Sequence, residues 1–207
     1  MSRNRRLCLS ARFVLPVSSN VVENGFITID GNKIQQVGQK REFKKENGLV
    51  NVDCGDVVIL PGLINCHSHL DYTYFAGKIP PTTDFVSWIQ SIIELKKTAV
   101  DYEASWLSGA TMLKNNGVSS VADIESIPSL LPHILESTPL RMISFIEVIG
   151  LTEDWNRDVL NLISKLHSHR LNNKQIGISP HTLYSTIPSV LNETLKFARE
   201  YELPISI

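Results

Sequence analysis

The chain has 207 residues, of which 43% are hydrophobic and 20% are charged, an ordinary globular composition. Its 20 basic and 21 acidic residues leave a formal net charge of −1, which offers no electrostatic basis for nucleic acid as a partner. The sequence also lacks an uncharged apolar run of the roughly 18 residues that a membrane span needs. We therefore expect neither nucleic acid nor a membrane as a partner.

The three cysteines are Cys8, Cys54 and Cys66. They are widely spaced and odd in number, so they do not make a disulfide framework. A reducing, cytoplasmic setting is the simpler interpretation.

The N-terminus needs a separate test, because Arg5 and Arg6 precede an apolar stretch, as in a twin-arginine export signal. However, Arg12 and Pro16 interrupt that stretch, and no small-residue cleavage site follows. We therefore expect a first β-strand here and not a signal peptide.

The first sixty residues have the pattern of a small all-β unit. Strands are predicted at "LCLSARFVLPV", "NGFITIDGNKIQQVGQ", "LVNVDCG" and "VVIL". Asp30-Gly31-Asn32 supplies the turn of a hairpin. Before that turn, Ile27 and Ile29 point to one face and Phe26, Thr28 and Asp30 to the other, which predicts a half-buried strand.

After Pro61 the pattern changes to alternating strands and helices. Strands are predicted at "LINCHSH", "VSSVADI", "LRMISFIEVIG", "QIGISPHTLY" and "LPISI", and helices at "DFVSWIQSIIELKK", "DYEASWLSGATMLKNNG", "IPSLLPHILEST", "TEDWNRDVLNLISKLHSHRL" and "IPSVLNETLKFAREYE". Asp84 is the expected N-cap of the first helix, and Gly117 ends the second. The alternation indicates parallel βαβ units, in either a doubly wound sheet or a (β/α)8 barrel. A glycine-rich phosphate loop after the first strand, which would favour the doubly wound sheet, is absent from the sequence.

His67 and His69 stand at the end of the first of these strands. Positions i and i+2 of a strand share a face, so both imidazoles can reach one ion about 2.0–2.1 Å from each nitrogen. Cys66 and Ser68 project the other way, which argues against Cys66 as a ligand. The spacing favours a metal pair over two histidines without a ligand.

The same His-Ser-His triplet returns at His167 and His169. There Leu160, Ile163 and Leu166 follow helical spacing, and positions two apart on a helix diverge by about 200°. These rings cannot share an ion, so we expect a solvated helix end.

Other polar residues stand near predicted strand ends. His181 follows "QIGISP" and is either a substrate contact at a pocket mouth or a loop histidine. Glu147 lies in an apolar strand, where a buried carboxylate needs a partner. Asp123 and Glu125 are expected as helix N-caps or loop residues, and Trp88 as either a pocket lining or a core residue.

Three stretches of the sequence resemble motifs of one protein family. The stretch "VVILPGLINCHSHLDYT" resembles the opening motif of the amidohydrolase superfamily, and "GFITIDGNKIQQVG" is similar to the hairpin of its small β-sandwich. "ISPHTLYS" resembles the strand-4 segment of the aminohydrolase branch, which includes methylthioadenosine/S-adenosylhomocysteine deaminases, aminodeoxyfutalosine deaminases and chlorohydrolase-like enzymes. The resemblance runs from about residue 6 to the last residue.

The resemblance implies an α/β fold in two parts. Residues 1–60 would be the N-terminal part of a small β-sandwich domain, and residues 61–207 the first part of a (β/α)8 TIM-type barrel, truncated at strand 5. In the family, His67 and His69 would be metal ligands on strand 1. The family's third metal histidine, its glutamate proton shuttle and its later ligands would fall beyond Ile207, so no catalytic residue is expected within this chain.

The resemblance also indicates the cofactor and the substrate contacts. Binuclear members of the family carry a lysine at the end of strand 4, whereas Lys174 precedes that strand here. This favours one divalent ion, zinc or alternatively iron. His181, Trp88 and Glu147 are the expected substrate-binding residues.

The implied activity is hydrolysis of carbon–nitrogen bonds other than peptide bonds by a metal-activated water, with deamination of an amino-purine or nucleoside-like substrate as the leading case. A cyclic amide hydrolase, a dechlorinating enzyme and a non-catalytic paralogue are the alternatives. The partner would be a small molecule, and a homo-oligomer stays open as an assembly. We expect poor solubility and no turnover from the 207-residue chain alone.

Overall fold

The structure is a computed structural model that describes residues 6–44, 46–82, 84–167 and 174–207. The chain forms two compact units, Met1–Gly62 and Leu63–Ile207.

The first unit is a β-sheet. Its strands within the described residues are β1 (Arg6–Val14), β2 (Val22–Asp30), β3 (Lys33–Gln39), β4 (Leu49–Asp53) and β5 (Val58–Ile59). The strand order is β3-β2-β1-β4, and β5 also pairs with β1. The hairpin pairs β1–β2 and β2–β3 are antiparallel, whereas β4 and β5 run parallel to β1. The predicted strand after Arg6 is confirmed.

The predicted hairpin between β2 and β3 is also confirmed. Gly31 lies in the turn with φ of +61°, a left-handed conformation that glycine adopts without steric cost. The expectation that β2 is half-buried is wrong, because its neighbouring residues Phe26, Ile27 and Thr28 are all buried. The ring of Phe26 packs against Phe43, with centroids 5.0 Å apart, so the second face of the strand is also covered.

The second unit alternates strands with helices, as predicted, and its fold is mixed α/β. Four of its strands within the described residues form a parallel sheet in the order β6-β7-β8-β9. They are β6 (Leu63–Ser68), β7 (Val118–Glu125), β8 (Arg141–Val148) and β9 (Lys174–Pro180). The helices are α1 (Phe85–Lys96), α2 (Tyr102–Asn115), α3 (Leu131–Ile134), α4 (Asp158–His167) and α5 (Pro188–Glu200).

Both predicted helix ends are confirmed. The Asp84 side chain accepts hydrogen bonds from the backbone N–H groups of Val86 and Ser87 and so caps α1. After α2, Gly117 takes a φ of +81°, which stops the helix before β7 begins.

Two predicted elements differ from the structure. The helix predicted at "IPSLLPHILEST" is broken into Pro128–Leu130 and Leu135–Ser137, both 3-10 helices, with the four-residue α3 between them. Pro132 lacks an N–H group and crowds the preceding turn, so a long helix cannot form there. The strand predicted at "LPISI" makes a single parallel bridge, between Ile205 and Ile178 of β9.

The core of the second unit lies between the sheet and the helices. The sheet contributes Val121, Met142, Ile146, Ile176 and Ile178, and the helices contribute Trp106, Ala110, Ile134, Leu160, Ile163, Leu166, Val190 and Ala198. Burying such side chains contributes about 1.5–3 kcal/mol for each large aliphatic or aromatic residue. Over the part of the chain that the structure describes, none of the helices has the length and apolar character to cross a membrane.

Candidate metal and substrate site

His67 and His69 lie at the carboxyl end of β6, at the edge of the sheet where the strands end. His67 is in the strand, and His69 is the residue from which the 3-10 helix Leu70–Phe75 begins. Their ring centroids are 5.2 Å apart, and the ring planes meet at 68°. The structure therefore brings the two rings together, as the spacing predicts.

The two histidines differ in their surroundings. His67 is exposed, whereas His69 is partly buried and stacks on the Tyr72 ring, with centroids 5.0 Å apart and planes at 15°. Burial, and next the neighbouring His67, lowers the pKa of His69 to about 4. The His69 ring is therefore neutral at pH 7, the form that ligates metals.

The His69 Nδ1 atom is buried and has no hydrogen-bond partner among the described residues. Buried polar atoms without a partner are rare, because each costs about 1–3 kcal/mol. An uncharged ring nitrogen that lacks a partner and lies beside a second imidazole fits a divalent cation such as zinc.

His67 and His69 provide two donors, not a full set. No group of three or more His, Cys, Asp or Glu side chains within the described ranges could hold a metal ion. A zinc site takes at least three protein ligands. The pair therefore fits part of a metal site.

His181 follows β9, and its backbone N–H donates to the carbonyl oxygen of Val148 at 3.0 Å. Its Nδ1 lies 2.7 Å from Ser185 Oγ, and its Nε2 lies 3.9 Å from Glu147 Oε1. The latter distance is too long for a direct hydrogen bond. Glu147 is 6% exposed in its side chain, so β8 and β9 bring a buried carboxylate and an imidazole to one place.

Trp88 lies on α1 and is 40% exposed. Its ring stacks on Phe85, with centroids 5.9 Å apart. Among the described residues, no ring contact or hydrogen bond joins Trp88 to His67 or His69, and the sequence alternative of a core tryptophan is wrong.

Of the second triplet, the structure describes His167, which lies at a helix end as expected. His167 is the exposed last residue of α4, whose Leu160, Ile163 and Leu166 are buried. The His167 ring meets Tyr201 edge-on at 6.4 Å. His169 lies outside the described residues.

The sequence interpretation missed a group of buried carboxylates. Asp123 and Glu125, expected as helix caps or loop residues, lie in β7 and are fully buried, as is Asp71. The Asp123 oxygens accept from the backbone N–H of Leu70 at 2.9 Å and from Trp106 Nε1 at 2.8 Å. Strand alternation could have found both residues of β7, because positions 123 and 125 share a face with the buried position 121.

Within the described ranges, each of the other two carboxylates, Asp71 and Glu125, accepts a hydrogen bond on one oxygen only. Glu125 Oε1 accepts from the backbone N–H of Ile127 at 2.6 Å, and the Ser126 hydroxyl donates to Asp71 Oδ2. Neither Glu125 Oε2 nor Asp71 Oδ1 has a hydrogen-bond partner among the described residues.

Burial is the main cause of strong pKa shifts in this group. It raises the pKa of Glu125 to about 8, with Asp71 and Asp123 adding to the effect. It raises the pKa of Asp123 to about 7, against the hydrogen bonds from Leu70 and Trp106, and that of Asp71 to about 6. Glu125, which has the highest pKa of the three, therefore keeps its proton at pH 7, whereas Asp71 is mainly ionised there.

A cavity of about 880 Å³ opens elsewhere on the sheet. It is lined by strand residues such as Ile64, Ser120 and Ile143, and by Arg141 and Lys174, the first residues of β8 and β9. It therefore lies toward the amino ends of the strands and does not include the histidine pair. We place the candidate site by its chemistry, because metal donors meet at the carboxyl ends, where parallel α/β folds carry their sites.

No protein-family model matches the chain. It is 26% identical over 193 residues to a 5-methylthioadenosine/S-adenosylhomocysteine deaminase of Carboxydothermus hydrogenoformans, an alignment that covers 90% of this chain and 44% of the relative. The chain thus spans about half the length of the curated relatives that it matches.

Two solved structures share the fold. The aminofutalosine deaminase of Helicobacter pylori, in complex with methylthio-coformycin, superposes with a TM-score of 0.82 at 19% identity, over 96% of this chain and 49% of that one. The atrazine chlorohydrolase of Arthrobacter aurescens, complexed with zinc, gives a TM-score of 0.80 at 18% identity, over 96% and 52%. The predicted resemblance of this chain to metal-dependent aminohydrolases of the amidohydrolase superfamily is therefore confirmed.

Proposed function

We propose that this chain is part of a metal-dependent hydrolase that deaminates an amino-purine or related nucleoside-like substrate. Residues 1–60 would be the N-terminal part of its small β-sandwich domain, and residues 61–207 the first part of its (β/α)8 barrel. The observation that carries the proposal is the histidine pair, in which a neutral ring with a buried, unpartnered Nδ1 lies beside a second imidazole. The deaminase names of the relatives support the same reaction class.

In this proposal His67 and His69 hold one divalent ion, zinc with iron as the alternative. Zinc bound at such sites supplies an activated water, by lowering the water's pKa to about 7. The stacked Tyr72 ring holds the plane of His69, and burial keeps that ring uncharged at pH 7. The general acid and base are not assigned to any described residue.

Three side chains are proposed to bind the substrate: His181, Glu147 and Trp88. His181 is oriented by its Nδ1 contact with Ser185, which leaves Nε2 facing the carboxylate of Glu147. An imidazole and a carboxylate so placed can bind the polar edge of a purine ring. The exposed ring of Trp88 offers a flat apolar surface for the base.

The metal assignment can be tested on the chain by isothermal titration with zinc chloride. The wild-type chain should bind one zinc ion weakly, since two histidines are an incomplete ligand set. His69→Ala should abolish the binding. His167→Ala is the matched control, because it removes an exposed histidine from the same triplet sequence and should leave binding unchanged. Equal zinc binding by wild type and His69→Ala would refute the assignment.

The reaction can be tested by measuring ammonia release from 5′-methylthioadenosine and related adenosine compounds. A protein that carries this chain together with the remaining ligands should release ammonia, and His69→Ala should stop it. We expect no release from the 207-residue chain alone.

Dechlorination is the second candidate, and the specific observation that favours it is the TM-score of 0.80 to a chlorohydrolase. Chloride release from atrazine, with no ammonia release from adenosine compounds, would select it. None of the structural likenesses described above is to a cyclic amide hydrolase. The presence of both His67 and His69 argues against a non-catalytic paralogue.

We also propose a reducing, cytoplasmic location, which is supported by the free thiols of Cys8, Cys54 and Cys66. The proposed partner is a small molecule. Assembly as a homo-oligomer stays a prediction.

A further inference from the structure

Asp123 joins two segments that are far apart in the sequence. Its side chain is fully buried at the carboxyl end of β7. One oxygen accepts from the backbone N–H of Leu70 at 2.9 Å, and the other accepts from Trp106 Nε1 at 2.8 Å. Hydrogen bonds from two different segments thus meet on one carboxylate.

The hydrogen bond from Leu70 lies just after the point where the pairing of β6 with β7 becomes irregular. The register of β6 against β7 shifts between Asn65 and Ser68, and Ser68 opposite Asp123 is the last pair of that ladder. His69 is the next residue, and Leu70, which Asp123 holds, follows it. The backbone on the carboxyl side of His69 is therefore fixed by a side chain of the neighbouring strand.

The bond to Trp106 connects that backbone to the core. Trp106 lies in α2 and is 0% exposed. Near it, the Ser105 hydroxyl donates to the carbonyl oxygen of Asp71 and accepts from the backbone N–H of Tyr74, both at 2.8 Å. α2 also packs tightly on this segment, since a Cβ added to Gly109 would lie 2.3 Å from Thr73 Oγ1.

We propose that Asp123 is a positioning residue for the metal pair, which holds the Leu70 amide and thereby keeps the His69 ring turned toward His67. This inference rests on the proposed metal role of His67 and His69. Groups that orient metal ligands typically affect metal affinity by 10- to 100-fold. Among the described residues, the hydrogen bonds of the Asp123 side chain go to Leu70 and Trp106 and not to His67 or His69, so its effect would pass through the backbone.

Asp123→Asn tests the role with zinc alone as the probe. Asparagine keeps one acceptor oxygen and presents an N–H₂ group where the second acceptor was, so one of the two bonds is lost. We expect zinc affinity, measured by isothermal titration, to fall about 10-fold. The matched control is Ser144→Ala, because Ser144 lies opposite Asp123 on β8, is equally buried and makes no hydrogen bond through its hydroxyl among the described residues. It should bind zinc like the wild type.

A second measurement needs no variant. If the Leu70 amide bond supports the metal pair, zinc must strengthen that bond in return, because coupling is reciprocal. We expect amide hydrogen exchange at Leu70 to slow when the wild-type chain is saturated with zinc, while exchange at Ile163 in α4 stays the same.

The outcomes distinguish the proposed metal role of the histidine pair from the positioning role of Asp123. A wild-type chain that does not bind zinc through His67 and His69 would remove the proposed function, and the inference with it. Two outcomes would overturn the inference alone when the wild type binds zinc. One is equal affinity in folded Asp123→Asn whose Leu70 amide exchanges faster than in the wild type, and the other is unchanged exchange at Leu70 on zinc binding to the wild type.

Discussion

Fully buried acidic side chains lie in the second unit, whereas none of the described acidic residues of the first unit is buried. In the first unit, Asp53 and Asp56 are exposed and pair with Lys40 at 2.6 Å and Arg12 at 3.1 Å. The hydrogen bond from Lys40 lowers the pKa of Asp53 below its ordinary value. Such pairs lie in water and contribute little to stability.

In the second unit, Asp71, Asp123 and Glu125 are fully buried, and none of the ion pairs among the described residues includes them. Their pKa values rise because burial disfavours the charged form. A protein keeps such costly groups where they do something that apolar residues cannot do. Asp71 lies two residues after His69, and Asp123 accepts from the backbone N–H of Leu70, so two of these carboxylates adjoin the candidate metal pair.

The largest expected effect of a substitution at a single pH is that of Asp123→Ala. It leaves two buried donors, Leu70 N–H and Trp106 Nε1, without an acceptor, at about 1–3 kcal/mol each. We expect the free energy of unfolding of the second unit to fall by about 3 kcal/mol. Urea titrations followed by tryptophan fluorescence measure this, because all three tryptophans lie in that unit.

Asp53→Ala is the matched change in the first unit, and it should leave the protection of the amides of β1 and β4 against hydrogen exchange close to that of the wild type. Similar losses from the two variants would break the contrast between buried and exposed carboxylates.

The next effect is a dependence of stability on pH. Glu125 has its pKa raised from 4.5 to about 8, so the folded state binds this proton more tightly than the unfolded state. Its stabilising contribution is complete below pH 4.5 and is lost as the pH rises to about 8. One such group changes the free energy of unfolding by about 1.4 kcal/mol per pH unit within that window.

Glu125→Gln, which mimics the protonated acid, should therefore reduce the fall in stability between pH 5 and pH 8, which are about the limits of that window. Urea titrations of the second unit at several pH values measure the slope. A slope equal to that of the wild type would show that Glu125 keeps its ordinary pKa.

A smaller effect concerns the helix that carries Trp106. Asp101 caps α2 by accepting from the backbone N–H of Ala104 at 2.9 Å. Asp101→Ala should lower the free energy of unfolding of the second unit by about 1 kcal/mol. Asp101→Asn should restore most of that loss, since asparagine caps as well as aspartate. An Asn variant as unstable as the Ala variant would argue against capping.

The smallest effect is expected for Lys40→Ala, which removes an exposed pair with Asp53. We expect no measurable change in hydrogen exchange of β1 and β4, because water and salt screen this pair. Faster exchange throughout these strands would mean that the surface pair carries the stability that we assign to the core.

The sequence predicts the alternation of the second unit well, because local patterns determine it. Asp84 caps α1 as expected, and strands β6 to β9 lie where apolar runs predicted them. His67 and His69 meet because a two-residue spacing turns both toward one face.

The remaining features depend on tertiary contacts or on residues that override a pattern. Strand alternation puts Asp123 and Glu125 on the face of the buried Val121, but the hydrogen bond from Trp106 of α2 to Asp123 is a tertiary contact that no local pattern predicts. Pro132 breaks a helix that apolar spacing favours. The Phe26 ring packs against Phe43, so the face of β2 that carries Phe26 is also buried, although the alternating pattern predicts one exposed face.

The most direct test of the central claim is a zinc titration of the chain followed through the imidazole resonances of its histidines. We predict that the signals of His67 and His69 shift together, with one dissociation constant and one zinc ion per chain, while His167 does not respond. If His67 and His69 respond separately, or if zinc shifts other histidines first, the two imidazoles do not form one metal site.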